Sequence, residues 1–125
     1  MKHLLDVNVL LASIWTTHPQ HATAMAWLPG KALVVCPIVE LGFLRISTHK
    51  KAFNFTMTDA RTGLEKFLSE RNVARISDDL PALDSKPAMS DQVTDHYLAD
   101  LAANHGLKFA TLDTGIKHTA VELVS

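Results

Sequence analysis

Cysteine occurs once in this chain, as Cys36, so neither an internal disulfide nor a cysteine zinc cluster can be built. Long apolar runs are missing as well, and no stretch approaches the roughly 20 apolar residues that span a bilayer. The short run His3-Leu4-Leu5 meets Asp6 too early to read as a signal peptide. These gaps lead us to expect a soluble cytoplasmic protein with no membrane partner. An excess of one charge is also lacking. With 12 basic and 13 acidic side chains the net charge is −1, which gives no global attraction to nucleic acid. Any such partner must be met by a local patch.

What is present is globular. Hydrophobic residues make up 47% of 125 positions, enough for one core and too few positions for two. We therefore read residues 1–125 as one domain. Its charges are segregated. Between Asp78 and Asp100 stand the acids Asp78, Asp79, Asp84, Asp91, Asp95 and Asp100, with Lys86 as the sole Lys or Arg. Arg45, His49, Lys50 and Lys51 form a basic stretch without an acid.

Lys2 to Leu5 reads as a buried strand ending at Asp6, followed by a helix over Val7 to Trp15. Pro19 suits the first position of a second helix, which Pro29-Gly30 stops. A second strand over 32–35 and a helix opened by Pro37 come next, then a loop over 48–55. Thr58 is the expected cap of a helix with Ala60, Leu64, Phe67 and Leu68 as its stripe. A third short strand covers 73–76, and the Pro-bearing segment 78–89 reads as irregular. Ser90 is expected to cap a helix to His105, with Val93, Tyr97, Leu98, Leu101 and Ala102 inside and Gly106 at its C′ position. A fourth strand over 108–112 ends at Asp113, and 121–124 reads as an edge strand. Strands alternating with helices imply a three-layer α/β/α sandwich with a central, mostly parallel sheet.

In such sheets ligands gather at the carboxyl ends of the strands. Asp6 and Asp113 each follow a strand's last apolar residue. Glu40 and Asp95 sit in the early turns of helices that can start at the same rim. Clustered carboxylates raise one another's pKa unless a cation neutralises them. Hard oxygen ligands favour Mg²⁺ or Mn²⁺, ions that serve phosphate chemistry. Each acid by itself has an ordinary explanation in solubility or the helix dipole. The seven histidines show no metal-ligand spacing, and His18 with His21 reads as a polar helix face. Cys36 reads as packing, Asp91 as a dipole partner, and Trp15 and Trp27 as either core or partner surface.

The segment Leu5-Asp6-Val7-Asn8-Val9-Leu10-Leu11 resembles the opening of a PIN domain. Val39-Glu40-Leu41-Gly42-Phe43-Leu44-Arg45, Val93-Thr94-Asp95-His96-Tyr97-Leu98-Ala99 and Ala110-Thr111-Leu112-Asp113 resemble the family's later acidic motifs, in order and across the whole chain. The length is similar to that of stand-alone toxins of the VapC type. The resemblance implies the fold and a Mg²⁺ or Mn²⁺ site at Asp6, Glu40, Asp95 and Asp113. It also implies RNA cleavage by metal-activated water, leaving 5′-phosphate and 3′-hydroxyl ends, together with a cognate antitoxin and a homodimer. Asn8 and Thr111 stand beside these acids to orient a ligand or water, though Asn8 equally suits a helix cap. By position rather than by resemblance, Arg45 either reaches the scissile phosphate, tethers an acid or is a plain surface or salt-bridge base, and Lys50 and Lys51 extend the patch expected for RNA. Two departures stand out. His96 replaces a small residue usual after the third acid, and Thr114-Gly115-Ile116-Lys117-His118 lacks a further acid that some relatives carry. The competing readings are an inert PIN scaffold that holds RNA or protein, and a phosphohydrolase on another α/β fold. The latter wants a second Asp two residues after the first, where Asn8 stands.

Overall fold

The computed structural model describes residues 2–125. Apolar runs supply the buried stretches of its three inner strands, while the two edge strands are short and partly exposed. The strands are β1 (Lys2–Leu5), β2 (Ala32–Val35), β3 (Ala74–Arg75), β4 (Lys108–Thr111) and β5 (Val121–Leu123). Leu4, Leu5, Val35, Phe109 and Ala110 have no exposed surface. That is the signature of parallel strands covered on both faces, where alternation gives way to continuous apolar sequence. The sheet order is β3-β2-β1-β4-β5 and every pairing is parallel. Leu4 sits opposite Val34 on one side and Phe109 on the other, which makes β1 the central strand.

The helices are α1 (Val7–Ile14), α2 (His21–Trp27), α3 (Pro37–Thr48), α4 (Met57–Glu70) and α5 (Val93–Asn104). The chain steps outward from β1 to β3, then returns to β4 on the other side of β1. Right-handed crossovers taken in opposite directions place their helices on opposite faces. Accordingly α1 to α4 pack on one another, while α5 packs against β4. The expected three-layer sandwich is observed. The reversal of direction between β1 and β4 opens a crevice at their carboxyl ends.

Local chemistry corrects several expectations. Thr56, not Thr58, caps α4: its Oγ accepts the Asp59 N–H at 3.1 Å, leaving Thr58 inside the first turn. Ser90 caps nothing, because Ser90–Gln92 tightens into a 3₁₀ turn and α5 begins at Val93. That turn leaves Val93 52% exposed instead of inside, whereas Leu98, Leu101 and Ala102 are buried as expected. The second helix starts at His21, after a turn at Pro19, and α3 runs on to Thr48. Gly106 ends α5 with φ of +71°, where a Cβ would be strained. Both tryptophans are structural. Trp15 stacks on Phe43 and Phe55 and donates to Ser47 Oγ at 2.8 Å, and Trp27 is buried edge-on to His3.

Candidate active site

Asp6 is the residue at which β1 becomes α1. Its backbone is extended, its Oδ1 accepts the Val7 N–H at 2.7 Å, and it caps the helix. Its own N–H donates to the Ala110 carbonyl, which fixes the rim of β1 against β4. Only 5% of Asp6 is exposed. Thr111, wholly buried at the end of β4, donates from Oγ1 to Asp6 Oδ2 at 2.7 Å. The same hydroxyl accepts from Asn8 Nδ2 at 3.2 Å and from the Asp113 N–H at 3.1 Å. Asn8 completes the loop by accepting the Leu112 N–H at 3.1 Å. Asn8 thus holds the turn after β4, while the cap of α1 is Asp6 itself.

The electrostatics of this corner are those of crowded carboxylates. Burial pushes the Asp6 carboxyl from 3.8 up to about 6, and the neighbouring charges of Asp95 and Asp113 add to the rise. The hydroxyl of Thr111 and the Val7 N–H work against it without prevailing. Asp95, in the first turn of α5, is also raised, first by burial and then by Asp113. Asp113 accepts the Gly115 N–H at 2.8 Å, which aims its carboxylate from an otherwise open turn. The fold therefore brings Asp6, Asp95 and Asp113 together from three separate segments.

Glu40 starts from the same rim, in the first turn of α3 beyond β2. Its Oε2 lies 3.5 Å from Nε of Arg75 on β3, and it lines a shallow groove with Leu44 and Arg61. Arg45 is exposed one turn further along α3. Lys50 and Lys51 stand in the turn after α3. That turn leads into Phe53 and Phe55, which pack on His18 and Trp15 past the C-terminal end of α1. Asp6 caps the other end of α1, and eight helical residues span about 12 Å. Lys50 and Lys51 are thus remote from the acid cluster.

Other bases line the cleft itself. A cavity of about 600 Å³ is walled by Asp91, Asp95, Asp113, Lys86, His96 and Lys117, among others. Sequence reasoning passed over Lys86 and Lys117. Lys86 carried a visible signal, as the one cation in an acidic stretch. The fold also assembles histidines that no sequence spacing announces. His96 and His118 converge on Asp100, with Nε2 to carboxylate distances of 3.3 and 2.7 Å, a grouping that only the fold creates. Cys36 is buried, and burial pushes its thiol up to about 12, which fits packing and excludes a reactive thiolate.

Comparison with known proteins places the chain in a family. The family model described as the PIN domain matches residues 3–122. Ribonuclease VapC38 of Mycobacterium tuberculosis is 34% identical, over 90% of this chain and 86% of its own. Ribonuclease VapC44 of the same species is 36% identical, over 97% and 92%. Among solved structures, the crystal structure of VapBC2 from Rickettsia felis bound to a DNA fragment from their promoter matches with a TM-score of 0.66. The match covers 98% of this chain and 97% of that one at 14% identity, so it bears on fold alone. The chain belongs to the PIN-domain family and, within it, to the group of the VapC ribonucleases.

Proposed function

We propose that this protein is a metal-dependent endoribonuclease, the toxin of a toxin–antitoxin pair, which cuts RNA phosphodiesters at Asp6, Asp95 and Asp113. The observation that carries the reading is the buried Asp6 carboxyl, raised to about 6 by burial and by the charges of Asp95 and Asp113. Such an arrangement is costly without a counter-charge, and an all-oxygen donor set suits Mg²⁺ or Mn²⁺. The residues fit the group that the family implies. Once bound, a divalent ion supplies Lewis acidity to the phosphate and lowers the pKa of an attacking water.

The chain's own residues do the rest. Thr111 and the Val7 N–H fix both oxygens of Asp6, so that carboxylate is preorganised. Asn8 ties the Leu112–Asp113 turn to α1 and keeps Asp113 beside it. Glu40 is the fourth acid, held in reserve by Arg75. Lys86 and Lys117 meet the phosphates flanking the cut, and Arg45, Lys50 and Lys51 form a more distant basic surface. An RNA substrate, a cognate antitoxin and a homodimer belong to the same proposal. Leu41, Leu83, Met89 and Val93 are exposed apolar side chains that a protein partner would cover. An inert scaffold is the weaker reading, since it gains nothing from a buried, mutually repelling carboxylate cluster.

The test is expression without a partner, combined with cleavage of labelled RNA by purified protein. Wild type should arrest growth and cut RNA only when Mg²⁺ or Mn²⁺ is present. Asp95→Ala should fold, permit growth and leave RNA intact. Harmless expression of the wild type, or cleavage that survives chelation, would overturn the proposal.

A further inference from the structure

His96 and Asp100 stand four residues apart on α5, so both face the same way. His118 reaches them from the segment between β4 and β5. The two imidazole Nε2 atoms lie 3.3 and 2.7 Å from the two oxygens of Asp100, and all three donor atoms fall within 4.8 Å of one another. The rings meet edge to face at 5.4 Å. All three side chains are partly buried, which limits their freedom. Tetrahedral zinc at bonds of 2.0–2.1 Å separates its ligand atoms by about 3.3 Å, so His96 already stands at that spacing from Asp100 and His118 would draw back by about 0.6 Å.

We propose that His96, Asp100 and His118 form a second metal site, selective for Zn²⁺ or a similar borderline ion and distinct from the carboxylate cluster. Two imidazoles and one carboxylate are the donor set of zinc, not of magnesium, and affinity at nitrogen sites rises toward the later first-row ions. Three protein ligands leave a coordination position open. His96 also lines the cleft with Asp95 and Asp113, so the site adjoins the wall along which RNA would pass. The ion would pin α5 to the β4–β5 segment and add fixed positive charge to the cleft.

One hydrogen bond marks the change that binding requires. His118 Nδ1 now accepts the Ala120 N–H at 3.0 Å, so its Nε2 carries the proton and donates to Asp100. Metal on Nε2 would require that nitrogen to give its proton to solvent and Nδ1 to take one up, which breaks the bond from Ala120. The Ala120 amide is therefore a reporter of this site and of no other.

The experiment is calorimetric titration of Zn²⁺ into metal-free protein, followed by amide spectra of ¹⁵N-labelled protein. Wild type and an Asp6→Asn, Asp113→Asn double variant should both bind one equivalent here and shift the Ala120 amide. His118→Ala and the milder His96→Gln, each checked for folding by circular dichroism, should weaken this binding by at least about a hundredfold, the upper cost of losing an outer-shell partner. Mg²⁺, which is diamagnetic and prefers oxygen ligands, should leave the Ala120 amide in place. No Zn²⁺ binding at micromolar concentration, unchanged binding in folded His96→Gln, or a still Ala120 amide would each reduce the cluster to an ion-pair network and end the proposal.

Discussion

Thr111 Oγ1 donates to Asp6 Oδ2 at 2.7 Å in a buried position, joining the ends of β4 and β1 across 105 positions of sequence. That one hydroxyl also accepts two N–H groups, from Asn8 and Asp113. Thr111→Val keeps the shape and removes the donor and both acceptor sites. Leaving these groups unpaired should cost about 1–3 kcal/mol. It should also push the Asp6 carboxyl further up, since this bond now holds it down. Thermal melts should show the loss, and Mn²⁺ titration should show weaker binding. A variant equal to wild type in both would mean that Thr111 only fills space.

The raised carboxyl of Asp6 makes a prediction about pH. Between 3.8 and about 6 the folded protein holds a proton there that the unfolded chain has released. The contribution of Asp6 to the stability of the metal-free protein therefore falls as pH rises through that window and levels off above it. The full effect is about 3 kcal/mol. Asp95, also raised, acts in the same direction, whereas His18, lowered from 6.5, and Glu122, lowered from 4.5, oppose it inside the window, so the Asp6 contribution is read as a difference from Asp6→Asn. Metal-free wild type should gain stability over Asp6→Asn on going from about pH 7 to about pH 5. Mn²⁺ affinity should decline over the same range, as protons compete for Asp6. Parallel stability curves for the two proteins would show that Asp6 titrates normally.

Much of this was legible in the sequence because the signals were local. Continuous apolar runs gave β1, β2 and β4, and Gly106 marked the end of α5. Asp6, Asp95 and Asp113 were readable from their places after strands or in a first helical turn. What escaped depended on side chains meeting across the fold. The pairing of Glu40 with Arg75 joins α3 to an edge strand of two residues, which no periodicity announces. His96 and His118 lie 22 positions apart with no motif spacing, and only the β4–β5 segment folding back on α5 unites them. The caps at Thr56 and Gln92 were displaced by two residues because competing Thr and Ser residues stood close by.

The ion pair of Glu40 makes a further test. Arg75 is 63% exposed at its side chain, and such pairs are worth about 0–1 kcal/mol. Arg75→Ala should accordingly leave stability nearly unchanged. It releases the Glu40 carboxylate at the rim, so Mn²⁺ binding should strengthen. Arg75→Ala with Glu40→Gln should bring affinity back to the wild-type level or below it. If Arg75→Ala leaves Mn²⁺ affinity untouched, Glu40 takes no part in holding metal.

The last prediction concerns how RNA reaches the acids. Net charge is −1, so affinity must come from bases placed where the strand runs. Lys86 and Lys117 share the cleft with Asp95 and Asp113, whereas Lys50 and Lys51 stand past the far end of α1. Each phosphate neutralised on a single strand contributes about 0.7 to the slope of log affinity against log salt. Lys86→Ala with Lys117→Ala should therefore flatten that slope by about 1.4, twice the single-contact value. Lys50→Ala with Lys51→Ala should change it far less. Filter binding across a salt series, with metal-free protein so that nothing is cut, measures both. Flattening in the Lys50 and Lys51 variant alone would move the RNA path to α3 and the turn that follows it, and would make Arg45 the base nearest the reacting phosphate.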